Sequence, residues 1–175
     1  MPDIRIDLPG TQFRRAYLLY VIEVTRNGDA YFYVGQTGDN NYVTARPPFR
    51  RLAGHLEDVG QSTQNQVYRF IATEVLGHGD ARGRTTFSET VKQSVEDFLA
   101  SASIAMHIYR VCPFDPKVER AEHRAIVWEV SRLEQRVIAA FQGAGKRLMN
   151  KRFISVPADG PHSDVLVRIR ADFGL

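Results

Sequence analysis

The chain has 175 residues, 43% apolar and 25% charged, with a formal net charge of +3, which excludes a disordered or collagen-like class and suits one domain with a sizeable core. Its single cysteine, Cys112, excludes an internal disulfide and has no Cys or His neighbours for a structural zinc site, so a reducing, cytoplasmic setting is expected. The opening MPDIRIDLPG alternates charged and apolar residues, unlike a signal peptide, and Glu23 breaks the longest apolar run, so membrane insertion is not expected.

In chain order, Tyr17 to Val24 and Ala30 to Gly35 read as strands, and Asn27-Gly28 between them is a strong hairpin signal. A two-residue turn there sets Tyr20 opposite Gly35 and Ile22 opposite Tyr33, with Tyr20, Ile22, Val24, Tyr31, Tyr33 and Gly35 on one face. Tyr20 and Tyr33 are then diagonal neighbours. Gly35 leaves space beside Tyr20, as glycine in a strand does where a backbone or ligand comes close. Taken alone, the two tyrosines are ordinary strand aromatics.

After the loop QTGDNNYVTARPP, Pro47-Pro48 opens a helix whose Phe49, Leu52, Ala53 and Leu56 form an apolar stripe. Arg51 and His55, one turn apart, fall roughly opposite that stripe on a face expected to be exposed. A guanidinium fork beside an imidazole suits a phosphate, and the spacing also fits a solvated face where Asp58 pairs with either residue. STQNQVYRFIATEVLG reads as a helix capped by Ser62 or Thr63 and stopped at Gly77, HGDARGRTT as a loop, and FSETVKQSVEDFLA as a helix. SIAMHIYRV alternates as a third strand.

A long helix is expected from about Lys117 to Phe141, ended by GAGK. Glu134 sits on the shoulder of its apolar stripe of Val130, Val137, Ile138 and Phe141. A desolvated carboxylate calls for a partner, either an arginine or a divalent cation. Glu119 and Glu122 also approach the stripe but lie where the helix dipole favours acidic residues anyway. Residues 117–152 hold nine Lys or Arg against four Glu, a surplus of five, while the rest of the chain has 14 basic against 16 acidic. That bias fits phosphate contacts by Lys146, Arg147, Lys151 and Arg152, or a solvated helix face. No repeat or linker interrupts the chain, so one domain over 1–175 is expected.

The ordered set of Leu18-Leu19-Tyr20, Tyr33-Val34-Gly35, Arg51-x-x-x-His55, Leu133-Glu134 and the late Asn150 resembles the GIY-YIG nuclease family. The resemblance covers about Tyr17 to Lys151 and implies an α+β fold, a small three-stranded mixed or antiparallel sheet flanked by helices. It implies metal-dependent hydrolysis of DNA phosphodiester bonds, as in a restriction or genome-defence endonuclease, by Tyr20, Tyr33, Arg51, His55 and Glu134, with Gly35 and Asn150 in support. Glu134 would hold Mg²⁺ or Mn²⁺, and Tyr20 or His55 would take the proton from water; a phenol in that role needs its pKa lowered from about 10. Leu18 replaces the family's first glycine. The stretch before Arg51 is long, so Arg46 or Arg50 competes for the arginine role and both are candidate DNA contacts. Residues 78–101 read as a helical insertion and 152–175 as a C-terminal extension. The competing expectation is a nucleic-acid-binding module of the same fold without cleavage. A double-strand cut by one small site favours a homodimer or sequential nicking.

Overall fold

The structure is a computed structural model that describes residues 7–58, 65–79, 87–150 and 159–175. Strand β1 (Ala16–Arg26) is buried over its first seven residues without alternation, so both its faces must be covered. It pairs antiparallel with β2 (Asp29–Gln36) through a turn in which Asn27 and Gly28 both have positive φ, 52° and 86°, the conformation an Asn-Gly hairpin needs. The register sets Tyr20 against Gly35 and Ile22 against Tyr33, as the two-residue turn requires. Strand β3 (Ser103–Pro113) flanks β1 on the other side, antiparallel, with a bulge where Tyr17 gives way to Leu18.

Among the described residues four strands form the sheet, not the expected three, in the order β3-β1-β2-β4. The fourth, β4 (Arg147–Leu148), runs parallel to β2. Two residues leave no periodic signal in a sequence. What produces the strand is Gly145, whose φ of 67° turns the chain out of the preceding helix and back along the edge of β2.

Helix α1 (Pro48–Leu56) starts at its proline as expected. The next expected helix divides into α2 (Gln66–Phe70) and a π-helical turn, Ile71–Val75, and its expected caps Ser62 and Thr63 lie outside the described residues. Helix α3 (Glu89–Ala100) is capped by Ser88, whose hydroxyl accepts from the Val91 N–H. Helices α4 (Arg120–Gly143) and α5 (Ser163–Phe173) complete the set. No helix among the described residues is long and apolar enough to cross a membrane.

These helices cover both faces of the sheet. Tyr20, Ile22, Val24 and Tyr33 pack with Val67, Ile71, Val95, Phe98 and Met149 on one side. Leu19, Val21, Phe32 and Val34 pack with Leu133, Val137, Ile138 and Phe141 of α4 and with Val165, Leu166 and Ile169 of α5 on the other. Each fully buried aliphatic side chain contributes about 1.5–3 kcal/mol. The stretches expected as an insertion and an extension therefore supply core: α3 contributes Val95 and Phe98, and α5 contributes three residues.

The loop after β2 is fastened at its far end. Its Gly38 sits against Val127, where an added Cβ would meet the valine at 2.7 Å. His123 Nε2 lies 2.8 Å from the Asp39 carbonyl and must donate to it, so Nδ1 accepts from the Tyr17 hydroxyl at 2.7 Å. His123 falls on the buried stripe of α4 with Val127 and Val130, the helical spacing that marks it in sequence.

Candidate active site

Tyr20 is completely buried, and its phenol ring crosses the strand pair to lie over Gly35. A Cβ at position 35 would meet Tyr20 Cζ at 2.5 Å and Cε2 at 2.8 Å. The space expected for a ligand is thus filled by the tyrosine itself, and glycine is needed so that the phenol can reach across. Gly35→Ala is expected to cost about 1–3 kcal/mol of stability, a fall of several degrees in melting temperature, because neither the ring nor the strand has room to give. A thermal melt checks it, and an unchanged midpoint would refute the close approach.

Two side chains of α1 meet the phenolic oxygen. His55 Nε2 lies 2.8 Å from Tyr20 Oη, and Arg51 Nε–H donates to the same oxygen at 2.9 Å. His55 also packs its ring 4.3 Å, centroid to centroid, from Tyr33. The expected exposed face is in fact the inner one. His55 is completely buried and Arg51 partly so, whereas Phe49 of the expected core stripe is 38% exposed and packs on Phe13. An imidazole supplied with a phenol partner can be buried at little cost, and the sheet presents its two tyrosines on that side. Leu52 and Leu56 pack against the same cluster, so both sides of this nine-residue helix are used.

Glu134 comes from α4, whose apolar stripe covers the opposite sheet face, yet its charge acts on Tyr20, Tyr33 and Arg51. Among the described residues the carboxylate has no hydrogen bond or ion pair. Burial pushes its pKa up from 4.5 to about 7, and the Arg51 charge offsets this only in part. Burial likewise pushes Tyr20 up to about 12, despite Arg51, and Tyr33 well above its ordinary value. Burial alone would weaken the Arg51 charge, but Tyr20, Tyr33 and Glu134 outweigh it and raise its pKa. The site thus holds a firmly charged guanidinium, two neutral phenols and a carboxyl poised near neutrality.

Asn150 acts as a short length of strand. Its Oδ1 accepts from the Val34 N–H at 2.9 Å and its Nδ2 donates to the Val34 carbonyl at 2.8 Å, continuing the ladder that Met149 N–H makes with the Phe32 carbonyl. Both groups of the residue between Tyr33 and Gly35 are held in this way.

The other basic candidates divide. Arg46 is ion-paired with Asp39 at 2.8 Å, and its charge still reaches Tyr20. Arg50 is exposed on α1. Arg147 pairs with Asp29 at 2.7 Å and Lys146 stands over the Phe32 ring, so both lie toward the start of β2, away from Gly35. Lys151 and Arg152 lie outside the described residues. Glu119 stands exposed at the N-cap position of α4 and Glu122 is exposed in its first turn, which leaves Glu134 as the acidic member of the site.

No three His, Cys, Asp or Glu side chains gather among the described residues as an all-protein metal cage would need. A lone, partly buried, unpaired carboxylate instead suits Mg²⁺ or Mn²⁺, which keep waters and take substrate phosphate oxygens as further ligands. Comparisons of the chain with protein-family models, with curated proteins and with solved structures find no match.

Proposed function

We infer that the protein is a metal-dependent endonuclease that hydrolyses DNA phosphodiester bonds, in the manner of the GIY-YIG nucleases its motifs resemble. The observation that carries this reading is the single phenolic oxygen of Tyr20 held by both His55 and Arg51, beside the unpaired carboxylate of Glu134. Four residues on three elements distant in sequence converge where a phosphate would need a charge, a proton acceptor and a cation ligand.

Glu134 would hold Mg²⁺ or Mn²⁺, which when bound supplies positive charge to a phosphate oxygen and to the departing 3′ oxygen. Arg51, kept charged by its neighbours, neutralises charge that grows on the equatorial oxygens as water attacks. A phenol with a pKa near 12 is a poor base by itself. Tyr20 acts instead as one half of a relay: its oxygen takes the proton of the attacking water while its own proton passes to His55 Nε2. The new P–O bond forms as the bond to the leaving oxygen breaks, and that oxygen takes a proton from solvent. Tyr33, packed at a tilt of 50° against His55, restrains the imidazole, and Asn150 fixes the strand that carries Tyr33.

The test is nicking of supercoiled plasmid and of phage DNA with Mg²⁺ or Mn²⁺. Wild type is expected to nick, and Arg51→Ala to lose about a hundredfold or more in rate. No nicking by wild type on any substrate overturns the nuclease reading. The depth of Tyr20 and its raised pKa favour a second reading, a DNA-binding module without cleavage, and DNA binding without nicking would establish that instead.

A further inference from the structure

A cavity of about 540 Å³ opens beside the candidate site, between the 3₁₀ turn Gly10–Phe13 and the end of β3. Arg14, Arg15 and Arg110 line it, and no Asp or Glu among the described residues does. Asp115, between the lining residues Phe114 and Pro116, accepts from the Lys117 backbone N–H at 2.8 Å. Arg15 lies over the Phe114 ring at 4.7 Å, which holds its guanidinium flat. Arg14 and Arg110 are exposed and have no carboxylate partner among the described residues.

The cavity's position follows from the strand register. Leu18 pairs with Arg110 and Tyr20 with Ile108, so Arg110 stands on the sheet face that carries Tyr20, two residues further along. That offset is about 7 Å. The pairing from Ile108 to Arg110 is unbroken, so regular alternation sets Arg110 on this face, and the β3 bulge follows just beyond it, before Cys112. Pro48 also lines the cavity, and Arg51 follows it by less than one turn of α1. Three arginines therefore continue the positive charge of Arg51 away from Tyr20 along one surface. Three like charges lining one cavity with no carboxylate partner among the described residues repel one another, and an anion bound among them removes that cost.

We propose that this arginine-lined cavity is a second phosphate subsite, gripping the DNA backbone at a phosphate neighbouring the one that Arg51 faces. The proposal rests on the nucleic-acid reading of the Tyr20 site and adds the direction in which the strand leaves it. Arg14 and Arg110 contact backbone phosphates, and Arg15, stacked on Phe114, fixes their spacing.

Binding of a fluorescent 30-base-pair duplex, measured without divalent metal over a range of salt, tests this independently of cleavage. Arg14→Ala/Arg110→Ala is expected to weaken binding by about fivefold or more and to reduce the slope of log affinity against log salt by about 1.8. The double lysine variant, Arg14→Lys/Arg110→Lys, is expected to retain the slope. Both arginines are exposed, so the melting temperature is expected to stay at the wild-type value. Wild-type slope and affinity in the alanine variant overturn the subsite and leave the nuclease reading intact. Failure of wild type to bind the duplex at all overturns both.

Discussion

Glu134→Gln is expected to lower nicking by about a hundredfold or more and, at the same time, to raise the melting temperature above neutral pH. The two effects share one cause. In the folded chain the carboxyl holds its proton up to about pH 7, against 4.5 for an ordinary glutamate, because burial disfavours the charge. A folded-state pKa above the unfolded value means that the native state binds the proton more tightly, so the stability from this group is present below about pH 4.5 and is lost as pH rises to about 7. Glutamine keeps the shape and never ionises. Wild type and variant are expected to melt together near pH 4.5 and to separate by roughly 5 °C at pH 8, with the variant higher. Equal melting at pH 8 would show that the carboxylate is not desolvated.

Metal addition gives the same linkage a second readout. A cation binds the ionised carboxylate and competes with its proton, so apparent Mg²⁺ affinity should rise about tenfold per pH unit below pH 7 and level off above it. Mg²⁺ should raise the melting temperature of wild type at pH 8 and leave Glu134→Gln unchanged. On the metal-binding proposal, a group that weakens the fold at neutral pH is offset by the cation it holds, a trade common at functional sites.

The hairpin was legible because its determinants are local. Asn27-Gly28 selects the turn, the turn selects the register, and the register sets Tyr20 across from Gly35. The long α4 was legible for the same reason, with Glu134 at the edge of a stripe whose spacing is unambiguous. Orientation between elements was not. Periodicity divides α1 into an apolar and a polar side without saying which side meets the sheet, and the tyrosines claim the polar one through His55. The gap at Gly35 was visible, but its occupant depended on the χ angles of Tyr20. β4 is too short to have a pattern, and Arg110 reads as one more alternating residue until the pairing of β3 with β1 sets it on the Tyr20 face. The element boundaries were local; the site was made by contacts between them.

Removing one oxygen atom tests the relay most directly. Tyr20→Phe is expected to reduce nicking by about 10²–10⁴-fold, because the proton path and the anchor of Arg51 both pass through that oxygen. It should also destabilise the fold by about 1–3 kcal/mol, since His55 Nε2 is left buried without its partner. The stability loss alone fits a structural tyrosine, so the decisive comparison is with His55→Gln, which can still hydrogen-bond the phenol but cannot receive a proton at neutral pH. If His55 is the proton's destination, His55→Gln should lower kcat about a hundredfold with little change in KM, and the acid limb of the pH–rate profile that belongs to imidazole should disappear. Tyr33→Phe, which removes a hydroxyl but keeps the ring packed on His55, should lose far less, about tenfold. Near-normal kcat in both Tyr20→Phe and His55→Gln would rule out the relay and leave the base among waters held near Glu134.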